Sequence, residues 1–205
     1  MNNETDNNSC VYVVDDDKGV RDSLSLLLSS VGLNCKVYAS ATEFLEDYRP
    51  GRIGCLVSDI RMPGMSGLEL QAEMNRAHIS IPVIFITGHG DVPMAVSAMK
   101  DGAMDFLTKP FRDQELLDRI NAALIQASEA FDGQQQEREV RARFESLTPR
   151  EAEVMAMVVR GSANKVIAMD LGVSQRTVEL HRARVMQKMA ARSLAELVRL
   201  SELIG

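Results

Sequence analysis

At 205 residues, 45% apolar and 25% charged, the chain has a globular make-up with room for two small domains, which excludes wholesale disorder and fibrous architecture. Apolar runs are no longer than strands, Cys10, Cys35 and Cys55 lack a CxxC spacing, and His78, His89 and His181 stand far apart; a membrane span, a disulfide scaffold and a zinc constellation are excluded with them. The net charge of −6 divides unevenly, with 14 basic and 22 acidic residues in 1–143 and 9 and 7 in 144–205. An acidic first part (−8) and a mildly basic second part (+2) make nucleic acid a candidate partner for the second alone.

Residues 1–9 are polar, acidic and without the pattern of a signal peptide, so they read as a flexible N-terminus of a cytoplasmic protein. The three thiols read as buried groups of a reducing compartment. Residues 10–14 are a β-branched run ending in Asp15, Asp16 and Asp17. Val20, Leu24, Leu27, Leu28 and Val31 then follow at helical spacing up to Gly32. Residues 35–39 read as a second strand. Ser40 and Glu43 spell a capping box for a short helix through Tyr48. A third strand covers 55–58 and ends at Asp59; after Pro63, Gly64 and Gly67 comes a helix with Leu68, Leu70 and Met74. Residues 82–86 make a fourth strand, 91–100 a fourth helix and 104–107 a fifth strand before Lys109 and Pro110.

Five strand–helix alternations with continuous apolar strands predict a doubly wound parallel sheet over residues 10–125. From Asp113 a helical pattern continues and loses its apolar stripe around Gln134, so 126–143 reads as a helical linker, weakened at Gly133 by about 1 kcal/mol relative to alanine. Residues 144–205 read as four short helices: 148–160, 164–171, 175–190 and 193–203. The expected fold is α/β plus all-α, a five-stranded sheet domain joined by a long helix to a four-helix domain.

In strand order 2-1-3-4-5, Asp15 and Asp16 at the end of strand 1 lie beside Asp59 at the end of strand 3, at the topological switch point. At an effective dielectric near 20, each carboxylate pair about 4 Å apart repels by roughly 4 kcal/mol. Such a cluster holds protons or binds a hard cation, and Mg²⁺ suits oxygen ligands and leaves room for a phosphate. Thr87 and Lys109 end strands 4 and 5. A hydroxyl and an ammonium beside three carboxylates make a cradle for a phosphoryl group.

With these residues in place, the chain resembles the receiver domain of bacterial response regulators over about residues 10–125. The matching pieces are Val14-Asp15-Asp16-Asp17, the run from Ser58 to Gly67, Ile86-Thr87-Gly88, and the run from Asp105 to Phe111. The resemblance implies that Asp59 accepts phosphate from a sensor histidine kinase as an acyl phosphate, with Lys109 and Thr87 assisting. It also implies that Asp16, Asp59 and the main-chain carbonyl of Arg61 hold Mg²⁺ while Asp15 acts through water. Lys109-Pro110 would be cis, and Thr87 and Phe106 would form the switch pair. Phe106 stands where the family more often has tyrosine, so a role for a ring hydroxyl is absent.

In the second part, Thr148, Pro149 and Glu151 open a helix with a capping box. Ala168, Gly172, Ser174 and Val178 have helix-turn-helix spacing: a small residue between helices, a turn glycine, a cap and an inward valine. The second helix of the pair carries Arg176, Arg182, Arg184 and Lys188 against Glu179. Lys165, Arg176, Arg182 and Lys188 are expected at phosphates, and Thr177, Glu179, His181 and Arg182 at base edges. The segment is similar to LuxR/NarL-type DNA readers, and its pairing with this receiver, with the stretch from His89 to Val96, is that of the FixJ-like regulators. That resemblance implies a transcription activator that binds promoter half-sites of double-stranded DNA, engages RNA polymerase and forms a homodimer on phosphorylation. Two rivals stay open: a phosphorylation-independent DNA-binding dimer, and a metal-dependent aspartyl-phosphate phosphohydrolase. The hydrolase lacks the acid/base carboxylate expected two residues after the nucleophile, where Arg61 stands.

Overall fold

A computed structural model describes residues 9–88 and 92–204. The expectations for residues 1–8 and for His89, Gly90 and Asp91, including a helix start at Asp91, lie outside the described residues. Two compact units divide between Phe131 and Asp132. In the first, β1 (Ser9–Val14), α1 (Lys18–Ser30), β2 (Cys35–Tyr38), α2 (Ala41–Asp47), β3 (Ile53–Asp59), α3 (Gly67–Arg76), β4 (Val83–Thr87), α4 (Val92–Lys100) and β5 (Asp105–Thr108) alternate, and α5 (Asp113–Glu145) follows. Ser9, assigned from sequence to the flexible N-terminus, is the first residue of β1 and pairs with Ile53.

The sheet order is β2-β1-β3-β4-β5 with every pairing parallel, as expected. Because successive side chains of a strand point to opposite faces, each strand serves two cores. Tyr12, Val14, Leu56 and Phe85 pack with Phe44, Leu70 and Met74 on one face. Val11, Val13, Cys55, Val57, Ile84 and Ile86 pack with Leu24, Leu28, Leu116 and Ile120 on the other. Each such fully buried side chain contributes about 1.5–3 kcal/mol of transfer free energy.

Local signals set the helix starts. Asp17 caps α1 by accepting from the N–H groups of Gly19 and Val20. Ser40 caps α2 through the Glu43 N–H, but the Glu43 carboxylate reaches back to the N–H of Ala39 at 2.8 Å, so the expected box closes one residue early. A complete box exists at Ser66 and Glu69 on α3, which the sequence reading passed over. Cys10 and Cys55 are buried thiols, whereas Cys35 is only half-buried on the edge strand.

The second unit holds the end of α5 with α6 (Pro149–Val159), α7 (Asn164–Leu171), α8 (Gln175–Lys188) and α9 (Leu194–Glu202). Val140 corrects the expected linker. It is buried with Val154, Val158, Ile167, Val178, Val185 and Leu197, so the stretch before residue 144 supplies part of this core. One buried valine in a polar helix leaves almost no periodic signal, which is why the segment read as solvated. Helix α5 also continues through Gly133. The reader's capping box at Thr148 and Glu151 is complete, Ser174 caps α8, and Gly172 adopts φ 66° between α7 and α8. There a side chain would be strained.

Candidate functional site

The C-terminal edge of the sheet gathers the predicted acidic residues. One carboxylate oxygen from each of Asp15, Asp16 and Asp59 lies within 4.8 Å of the others, with Asp15 buried, Asp59 half-buried and Asp16 exposed. Lys109 joins them from the end of β5, its Nζ 2.9 Å from Asp15 Oδ2 and 3.3 Å from Asp59 Oδ2. The peptide between Lys109 and Pro110 is cis, as the resemblance implied. Burial raises the Asp59 pKa above the ordinary carboxylate value; Lys109 opposes this and Asp15 adds to it. Burial works to lower the Lys109 pKa, but Asp15 and Asp59 outweigh it and the net direction is up. The ammonium is therefore held charged, and Asp59 is the strained member of the group.

Donors meet Asp15 at three oxygens: its Oδ1 accepts from the Asp17 N–H at 2.9 Å, its Oδ2 from Lys109, and its main-chain carbonyl from Arg21 Nη1 at 2.6 Å. With both carboxylate oxygens engaged, Asp15 fits a role through water better than direct ligation. Arg61 contributes a main-chain N–H to the Asp59 carboxylate. Exposed Asp16 and half-buried Asp59 each bring a carboxylate oxygen to this cluster, a hard-oxygen donor set that fits Mg²⁺.

Thr87 ends β4, one residue beyond the Asp59–Ile86 pair, and is fully buried. Among the described residues, its hydroxyl makes a single contact, 3.5 Å from the Gly88 carbonyl, too long to fix its direction firmly. Phe106 lies in β5 opposite Phe85 and packs, partly buried, against the α2–α4 side of the sheet. Two further residues shape the pocket without having been assigned a part in it from sequence. Arg21 carried no signal beyond being a basic residue on α1. Gly67 had one, a glycine opening a helix: a Cβ there would lie 2.3 Å from the Asp59 carbonyl oxygen and 2.9 Å from the Phe85 ring. Only glycine lets α3 start so close to the end of β3.

The reader sorts its predicted residues differently. Lys165, Arg176 and Glu179 are exposed on α7 and α8. Thr177 is half-buried and helps cap its own helix, its hydroxyl 2.9 Å from Ser174 Oγ. His181 is half-buried, and its Nδ1 is shut from solvent without a hydrogen-bond partner among the described residues. Arg182 donates to Asn164 Oδ1 at 2.8 Å, tying α8 to α7. Lys188, expected at a phosphate, is paired within the domain: its Nζ lies 2.6 Å from Glu151 Oε2 and 2.9 Å from the Ser146 carbonyl. That clasp, with the Thr148 N–H and hydroxyl, pulls the Glu151 pKa down to about 2. Arg184, Leu180 and Ala183, absent from the expected contact set, are exposed instead.

Comparison with known proteins gives this arrangement its class. Residues 11–121 match the response regulator receiver domain, and residues 145–201 match the luxR family of bacterial regulatory proteins. The chain belongs to the response regulators, as a receiver joined to a LuxR-type DNA-binding domain. Within that class it is 49% identical over 202 residues to nodulation protein W of Bradyrhizobium diazoefficiens, covering 98% of this chain and 89% of that one. It is 50% identical over 195 residues to the transcriptional regulatory protein FixJ of Azorhizobium caulinodans, covering 95% and 92%. The solved structure of the response regulator StyR is similar at 47% identity and TM-score 0.88, covering 95% of this chain and 98% of that one. Among the described residues, no helix is long and apolar enough to cross a membrane.

Proposed function

We propose that this chain is a cytoplasmic, phosphorylation-switched transcription activator in which Asp59 is the phosphoacceptor. The observation that carries the reading is the meeting of three carboxylates with Lys109 at the switch point of the sheet. An Asp59 oxygen attacks the phosphorus of a phosphohistidine on the sensor kinase. The P–N bond breaks with its electron pair left on the imidazole nitrogen, and an acyl phosphate forms on Asp59. Mg²⁺, held by Asp16, Asp59 and the Arg61 carbonyl, would supply positive charge to the phosphoryl oxygens during transfer. Lys109 stays paired with Asp15 and turns its remaining N–H groups from Asp59 to the phosphoryl group. Thr87, loosely held, rotates its hydroxyl to a phosphoryl oxygen, and Phe106 fills the space vacated.

Moving such a switch from 1:99 to 99:1 takes about 5.5 kcal/mol of differential stabilisation, within reach of several charge-assisted hydrogen bonds. The outcome is a homodimer whose two readers meet the half-sites of a promoter, with RNA polymerase as downstream partner. The chain acts as a regulator and not as an enzyme on a small substrate; a carboxylate for general acid/base work two residues after Asp59 is replaced by Arg61.

The test compares wild type with Asp59→Asn. Acetyl phosphate should label the wild type with one phosphate and leave the variant unlabelled, and phosphorylation should raise both dimer content in sedimentation and affinity for selected genomic fragments. Labelling of the variant at the wild-type rate overturns the acceptor assignment. Equal DNA affinity with and without phosphate favours the phosphorylation-independent dimer, and multiple turnover of a phosphoester favours the hydrolase.

A further inference from the structure

Helix α8 turns one clean face outward. Beyond Gln175 at its first position, Arg176, Glu179, Leu180, Ala183, Arg184 and Gln187 are exposed, while Val178 and Val185 are buried. At 3.6 residues per turn the exposed set spans an arc of about 140°, directly opposite the two valines. Arg176, Leu180 and Arg184 are four residues apart and so form one stripe, with Ala183 beside it.

Scattered surface leucines need no explanation. This one is 51% exposed, lies one turn from a guanidinium on either side, and adjoins a second apolar side chain on the same face. Arginines one turn either side suit the phosphates or guanines that line a DNA groove. An apolar centre between them suits the one apolar group that the major groove displays, the 5-methyl of thymine. Arg182 and Lys188, which sequence alone placed in contact with DNA, are turned toward Asn164 and Glu151 and leave this face to Leu180.

We propose that Leu180, backed by Ala183, reads a thymine methyl in each operator half-site. The inference rests on the DNA-binding function above and adds the base that α8 selects.

The test uses the full chain treated with acetyl phosphate. A random duplex library is selected on the wild type, and the recovered duplex is resynthesised with deoxyuridine at each thymidine in turn. Fluorescence anisotropy should show wild-type affinity falling about fourfold at one thymidine per half-site, the worth of one buried methyl. Leu180→Ala should bind the thymidine duplex more weakly and fail to distinguish thymidine from deoxyuridine at that position. Because Leu180 is exposed, its far-UV melting curve should match the wild type. Unchanged wild-type affinity with deoxyuridine at every position overturns the inference, as does full discrimination retained by Leu180→Ala. If the library yields no retained duplex, DNA binding itself fails, and this inference with it.

Discussion

Two carboxylates in this molecule are held in opposite ways. In the receiver, Asp59 shares a pocket with Asp15 and Asp16 and one ammonium, and burial drives its pKa up. In the reader, Glu151 accepts from Lys188 and from the Thr148 N–H, and its pKa falls to about 2. The first group is left short of positive charge and so is disposed to take a cation or a phosphoryl group. The second is satisfied, and its bond to Lys188 fastens the end of α8 to the start of α6. A perturbed carboxylate alone therefore does not mark a functional site; the direction and the cause of the shift do.

The largest effect that would break this contrast is expected at Lys109. Lys109→Met leaves three carboxylates without their ammonium, and labelling of Asp59 by acetyl phosphate should slow by about 10²–10³, the usual loss for a transition-state donor. A rate within a factor of a few of wild type would remove Lys109 from the chemistry. Next comes Gly67→Ala. Its Cβ would overlap the Asp59 carbonyl, so the receiver should lose about 1–3 kcal/mol or more. Tyr12, Tyr38 and Tyr48 are the chain's three tyrosines and all lie in the receiver; a urea titration followed by their near-UV signal reads that domain alone.

The reader's clasp is tested by acid. Glu151 has a folded pKa of about 2 against an ordinary 4.5, so its contribution is present above pH 4.5 and drains away as pH falls toward 2. In melts at 222 nm, the transition without a tyrosine counterpart should shift down across that window, and Glu151→Gln should flatten the dependence. The smallest effect is at Asp59. Its raised pKa means that ionisation costs stability as pH rises through the folded value, so Asp59→Asn should melt higher than wild type at neutral pH. A lower tyrosine-detected melting temperature would show that Asp59 is a satisfied ion pair like Glu151.

Much of the receiver pocket was legible because a parallel sheet delivers all its strand ends to one edge. Asp15, Asp16, Asp59, Thr87 and Lys109 each follow a short apolar run, and the order β2-β1-β3-β4-β5 brings those runs side by side. Arg21 was not legible, since its bond to the Asp15 carbonyl depends on how α1 returns over the sheet. The reader was legible as an architecture and not as a surface. Arg182, Lys188 and Arg184 look equivalent in sequence, yet Asn164 takes the first, Glu151 the second, and the third is exposed on the outer face.

The amino-acid order by itself determined most of the elements, the caps at Ser40, Thr148 and Ser174, and the turn at Gly172, because periodicity and capping act over three or four residues. Packing decided which charges are consumed and which remain available. Lys109 meets Asp15 across 94 positions and Lys188 meets Glu151 across 37. Coulomb and hydrogen-bond energies depend on distance in space, so separations of that length acquire meaning only once the cores have closed.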